Sequence, residues 1–313
     1  MRIRGKFLAA AVPVGVALLA SACSSSAATP PSSGGSPGST IVAVGAENEY
    51  ANVMQQVGGK YVRVSAIMSN PSTDPHTYEA SSSVAQEISS AQLVIQNGVG
   101  YDTFMNTIEN AAPNSKRKVI DVQKLLGLPD NTPNPHLWYK PTTMPVVANA
   151  IANDLASLDP AHASYFRANA RTFISSLASW NQALAAFKTK YGGTPVATTE
   201  PVADYMLEAA GADNMTPFTF QANIMNGVDP SAQNVALERS LFTQHKVKAF
   251  LYNQQVTSSL TQSFITLARQ NGIPVVGVYE TMPTPGYDYQ HWMLTEVQDL
   301  QKAVVNKTST EHL

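Results

Sequence analysis

The sequence predicts an α/β protein of two lobes, each built on a parallel sheet, joined by one long rigid helix. Three observations predict it. Short β-branched runs alternate with helical stretches from residue 40 onward. The same alternation returns after residue 194. Between the two lies an apolar stripe with spacing four and three throughout: Phe166, Ala170, Phe173, Leu177, Trp180, Leu184 and Phe187. Strands separated by helices imply crossover connections and hence parallel sheets. The four-three spacing keeps one helix face buried along its whole length.

The elements follow in chain order. Arg2, Arg4 and Lys6 precede an apolar stretch over residues 7–20, which suits a signal peptide over 1–22 and is short for a membrane span. The stretch ends at Ala20-Ser21-Ala22-Cys23, small residues before a cysteine, as at a bacterial lipoprotein cleavage site. Cys23 is therefore the expected lipid attachment point, with the chain held at a membrane on its extracytoplasmic face. It is the only cysteine, so neither an internal disulfide nor a thiolate metal site can form. Residues 23–39 are a Ser/Pro/Gly linker with nothing to pack.

The first lobe is expected over 40–159, with strands at 41–45, 61–67 and 93–96 and helices at 82–91 and 142–158. The linking helix is expected over 160–191. Asp159-Pro160 opens it and Gly192-Gly193 stops it. At 1.5 Å per residue it spans about 45 Å, a strut that limits hinge closure. The second lobe, 192–313, holds expected strands at 196–199, 249–253 and 274–279 and helices at 230–245 and 256–271.

Composition narrows the function. Apolar residues make up 44% of the 313, enough for a sizeable core. Lys plus Arg is 20 against 22 for Asp plus Glu, so the basic footprint of a nucleic-acid partner is missing. Without Arg2, Arg4 and Lys6 the mature chain keeps 17 basic groups against those 22 acids, a balance that suits a cationic ligand.

The candidate chemistry lies in four positions. His76 sits in Asp74-Pro75-His76-Thr77-Tyr78-Glu79 and His136 in Asn134-Pro135-His136-Leu137-Trp138-Tyr139. In both, a proline stiffens the loop just before the imidazole, which lowers the entropy lost on coordination. Glu200 and Glu280 each follow directly on an expected strand of the second lobe. Ligands of open parallel sheets bind beyond the carboxyl ends of strands, so both carboxylates stand on the correct side. Two imidazoles and two carboxylates form a nitrogen/oxygen set that neutralises a divalent cation, Zn²⁺ at four-coordination or Mn²⁺ with bidentate carboxylates. Asp288 and His291 are the reserve candidates for the fourth ligand. His162, His245 and His312 are read as ordinary surface or helix-end residues.

These segments resemble the metal-binding family of ABC-transporter solute-binding proteins, the zinc and manganese receptors with a helical backbone. Residues 74–79 look like the family's D-P-H-x-Y-E ligand loop. Leu93 to Tyr101, LVIQNGVGY, is similar to its strand and Asn-Gly turn. Residues 134–138 look like its D-P-H-x-W loop with Asn134 in place of Asp, and Leu158-Asp159-Pro160 with Tyr165, Ala168 and Asn169 looks like the start of its linking helix. The resemblance implies a non-enzymatic receptor with Zn²⁺ or Mn²⁺ as cargo, bound by His76, His136, Glu200 and Glu280. It implies delivery to a cognate ABC permease with its ATPase, and a monomer on a lipid anchor. Glu200 at the third position is similar to the manganese branch, Glu280 replaces the usual Asp, and the His-rich loop of many zinc receptors is missing between His76 and His136. Two rivals follow from the same residues. One is a secreted metallohydrolase, for which the sequence offers no H-E-x-x-H helix and no separate base. The other is a haem, siderophore or cobalamin receptor using Trp138, Tyr139 and Trp292 as contacts.

Overall fold

A computed structural model describes residues 40–72, 76 and 78–313. The expected signal peptide, Cys23 and the linker lie outside the described residues, as do Thr73, Asp74, Pro75 and Thr77.

The first sheet is built from β1 (Ile41–Glu47), β2 (Val62–Met68), β3 (Leu93–Gln96) and β4 (Lys118–Asp121), all parallel in the order β2-β1-β3-β4. The crossovers are α1 (Asn48–Gly58), α2 (Ser82–Ser90) and α3 (Thr103–Ala111). The one-turn α4 (Val122–Leu125) and then α5 (Thr143–Leu158) follow. β1 and β3 are buried almost throughout because helices cover both faces, which is why they read as continuous apolar runs.

The second sheet repeats the plan. Its strands are β5 (Pro195–Thr198), β6 (Asp213–Asn214), β7 (Ala249–Asn253) and β8 (Val275–Val278), parallel in the order β6-β5-β7-β8. Among them run α8 (Asp204–Ala210), α9 (Phe218–Met225), α10 (Ala232–Thr243) and α11 (Ser259–Gln270), and α12 (Tyr289–Asn306) closes the chain. Ser258 starts α11 with a capping box to Thr261, and Ser231 caps α10. In both sheets the strand order reverses beside the first strand, so each has a crevice at the carboxyl ends of its central pair.

The single helix expected over 160–191 is corrected to three pieces. A 3₁₀ turn (Pro160–His162) leads into α6 (Ala163–Ser176), and α7 (Ala178–Tyr191) follows after Leu177. The break has a local cause. Ser176 donates its hydroxyl to the carbonyl of Phe173 at 2.7 Å, the acceptor an α-helix would give the Leu177 amide. That amide bonds Ile174 instead, and the turn tightens. The apolar stripe survives the break, and all seven of its residues are buried. They belong to one apolar core that includes Tyr50, Trp138, Tyr289 and Trp292, so the two halves share their interior.

Candidate metal centre

His136 is held from below. The 3₁₀ turn Leu137–Tyr139 that follows it buries all three of its side chains, and the Trp138 indole stands edge-on to the imidazole at 5.4 Å. The Asn-Gly turn after β3 fixes the loop from the other side. Asp102 accepts the amides of Asn97 at 2.6 Å and Gly98 at 2.9 Å, and Asn97 donates its side-chain amide to the Pro135 carbonyl at 2.9 Å. Asn134 sets the tautomer. Its Nδ2 donates to the Pro201 carbonyl at 2.8 Å, so its Oδ1 faces Nδ1 of His136 at 2.7 Å. Nδ1 therefore carries a hydrogen, and in the neutral ring Nε2 presents a lone pair.

That nitrogen points at a carboxylate. His136 Nε2 lies 3.1 Å from Glu280 Oε2, and His76 Nε2 lies 3.1 Å from the same oxygen. Donor atoms of His76, His136 and Glu280 all fall within 4.8 Å of one another, and no other group of three such residues does so among the described residues. The Tyr101 hydroxyl adds a hydrogen bond to Oε2 at 2.9 Å. Asn253 donates to Oε1 at 2.6 Å, and the Glu280 amide donates to Gln255 Oε1, also at 2.6 Å. His136 and Glu280 are fully buried, whereas the His76 side chain is 19% exposed. It opens onto a cavity of about 280 Å³ lined also by Gly100, Ile224, Met225, Asn226 and Gly227.

Glu200 is buried but stands outside that three-residue group. Its Oε1 accepts from Asn253 Nδ2 at 3.2 Å, the same nitrogen that serves Glu280. The sheet order explains the arrangement. β7 lies between β5 and β8, so Asn253 at the end of β7 falls between the carboxylates that follow its neighbours. The reserve pair is corrected. Asp288 and His291 bond each other at 2.7 Å at the exposed start of α12, where Asp288 is the helix cap. Trp138, Tyr139 and Trp292 are fully buried core residues, not walls of a wider cleft.

The surroundings are acidic. Burial pushes Glu47 well above the usual carboxylate range, and Asp102 and Glu49 add to the effect. Burial does the same to Glu49, with Glu280 contributing, and carries Asp102 to about 6. Burial also acts on Glu280, but the two imidazoles beside it, in their protonated form, outweigh it and hold this carboxyl well below its ordinary value. Burial lowers His136, which favours the neutral imidazole a metal needs. Tyr101, Asn253, Gln255, Glu47 and Glu49 escaped the sequence reading. The two acids at the end of the first β-branched run carry the same strand-end signal that picked out Glu200 and Glu280.

The model of the family described as zinc-uptake complex component A, periplasmic, matches residues 44–303. The manganese-binding lipoprotein MntA of Bacillus subtilis is 26% identical over 136 residues, which cover 42% of this chain and 44% of that one. The zinc-binding protein AdcA of Streptococcus pyogenes is 26% identical over 179 residues, 54% of this chain and 32% of that one. The chain thus spans less than half the length of these two curated relatives. The solved Mn-bound periplasmic metal binding protein of Candidatus Liberibacter asiaticus shares the fold, with a TM-score of 0.69 at 19% identity over 84% of this chain and 99% of that one. The matched family is one of transport-complex components, not enzymes, against the metallohydrolase rival. With its model covering both sheets, both imidazole loops and both strand-end carboxylates, the chain belongs to the family of zinc-uptake complex component A, periplasmic.

Proposed function

We propose that this chain captures a divalent transition cation, Zn²⁺ or Mn²⁺, between its two sheets and hands it to a cognate ABC permease driven by its ATPase. One observation carries the reading. Two buried groups, the His136 imidazole with Nδ1 held by Asn134 and the Glu280 carboxylate, meet at 3.1 Å with a second imidazole beside them. With the imidazoles neutral, their lone pairs and the carboxylate repel unless a positive charge lies among them, and a divalent cation supplies it. His76, His136 and Glu280 are three of the ligands, and Glu200 is the fourth through its second carboxylate oxygen, Asn253 keeping Oε1. The relatives' names support both cargoes, one being called manganese-binding and the other zinc-binding.

The same reading places the chain as a monomer on the extracytoplasmic face of a bacterial membrane, tethered through lipid on Cys23. The lipoprotein name of the Bacillus relative supports the tether. Labelling with a radioactive fatty acid tests it, with label expected on the natural chain and lost in Cys23→Ala.

The test of the cargo is competitive titration of metal-stripped protein with Zn²⁺ and Mn²⁺. One cation per chain is expected, and His136→Ala or Glu280→Gln weakens it by at least about 10-fold. Unchanged stoichiometry and affinity in both variants refute the assignment.

A further inference from the structure

We propose that Asn253 is the residue that selects the cation, because its single amide engages one oxygen of each carboxylate and so restricts both to one-oxygen coordination. This rests on the metal-capture reading above. Asn253 is fully buried at the end of β7. Its Oδ1 accepts the Gln255 backbone amide at 3.0 Å, so the side chain has one orientation and Nδ2 faces the carboxylates. The two hydrogens of Nδ2 then go to Glu280 Oε1 at 2.6 Å and Glu200 Oε1 at 3.2 Å. Its backbone amide is tied to Thr199 Oγ1 at 3.0 Å, one residue before Glu200.

The consequence for coordination is direct. Glu280 already turns Oε2 toward both imidazoles, and Tyr101 holds it there. Bidentate binding would draw Oε1 toward the cation and away from Asn253, breaking the shorter of the two amide bonds. Glu200 meets the same restraint through its own Oε1. Two imidazole nitrogens and one oxygen from each carboxylate make a four-donor set, the preference of Zn²⁺. Mn²⁺ favours octahedral, oxygen-rich coordination, which needs at least one carboxylate to chelate through both oxygens. The bland alternative is a structural amide that merely fills the space between β5 and β8. It predicts equal losses for every cation.

The experiment compares the natural chain with Asn253→Leu, which keeps the branched shape and removes both hydrogens. X-ray absorption on the Zn²⁺-loaded natural chain is expected to show about four nitrogen/oxygen neighbours. In the variant, the ratio of the Mn²⁺ to the Zn²⁺ dissociation constant is expected to fall by about 10-fold or more as the carboxylates gain bidentate freedom. Five or six neighbours around Zn²⁺ in the natural chain overturn the inference even if the variant fails to fold. So does a variant in which both affinities change by the same factor. A natural chain that binds neither cation removes the capture reading and this inference together.

Discussion

At the scale of single residues, Asn134 shows how little chemistry a ligand site needs when the backbone cooperates. It stands where the family pattern has Asp, yet it performs the orienting task through its carbonyl oxygen because its amide is committed to Pro201. Replacing it with Ala leaves the imidazole free to choose its tautomer, and cation affinity is expected to fall by about 10- to 100-fold in calorimetric titration. Glu296 makes a different prediction. It is fully buried in α12, accepts from the Trp292 indole at 3.0 Å and Tyr139 at 3.2 Å, and burial raises its carboxyl to about 8 from an ordinary 4.5. The folded chain keeps this proton where the unfolded chain has lost it. Its contribution to stability therefore declines as pH rises from 4.5 to about 8, by about 1.4 kcal/mol per pH unit, and is level above. Urea unfolding of Glu296→Gln between pH 5 and 8 is expected to give a curve flatter than the natural one by that one-proton slope.

The residues legible in the sequence were those whose signal is local. A proline before an imidazole and a carboxylate at the end of an apolar run can be read within a few positions. Tyr101 could not be found that way, because it meets Glu280 across 179 residues. Asn253 needed the sheet order, since nothing in its neighbourhood says that its strand lies between the two others.

At the scale of elements, the apolar strands were legible because both faces are covered. β4 and β6 were not. β4 lies at a sheet edge with only one buried residue, and β6 is two polar residues long. The break at Leu177 escaped because hydrophobic spacing is blind to a serine hydroxyl that competes for a backbone carbonyl. α1 carries a second device that periodicity does not report. Asn48 exchanges a pair of hydrogen bonds with the backbone of Met282, at 2.8 and 2.9 Å, and Asn52 accepts the Tyr289 amide at 3.1 Å. One turn on, Gln56 and Gln290 pair through their amides at 3.0 Å. Positions four apart share a helix face, so one row of carboxamides stitches α1 to the segment beyond Glu280. Asn48→Ala leaves the Met282 amide and carbonyl buried without their partner. A loss of about 1–3 kcal/mol is expected in chemical unfolding.

At the scale of the whole molecule, those stitches decide which part Glu280 belongs to. Its strand lies in the second sheet, but Tyr101, Asn48 and Tyr139 bind Glu280, Met282 and the Tyr279 carbonyl from the first half. With a continuous core beneath, the three converging donors form one rigid group. Loading is therefore expected to change the scattering profile only slightly. A large hinge closure on adding cation contradicts this.

The exposure pattern of those donors governs traffic as well as grip. Glu280 and His136 lie sealed below, while His76 alone of the three meets the cavity beside Met225 and Asn226. On the capture reading proposed above, an ion arriving from solution meets His76 first, and a departing one leaves it last. Stripping agents of equal strength but different bulk should then work at unequal speeds, the slender ones faster, because passage through that cavity and not the equilibrium constant sets the pace.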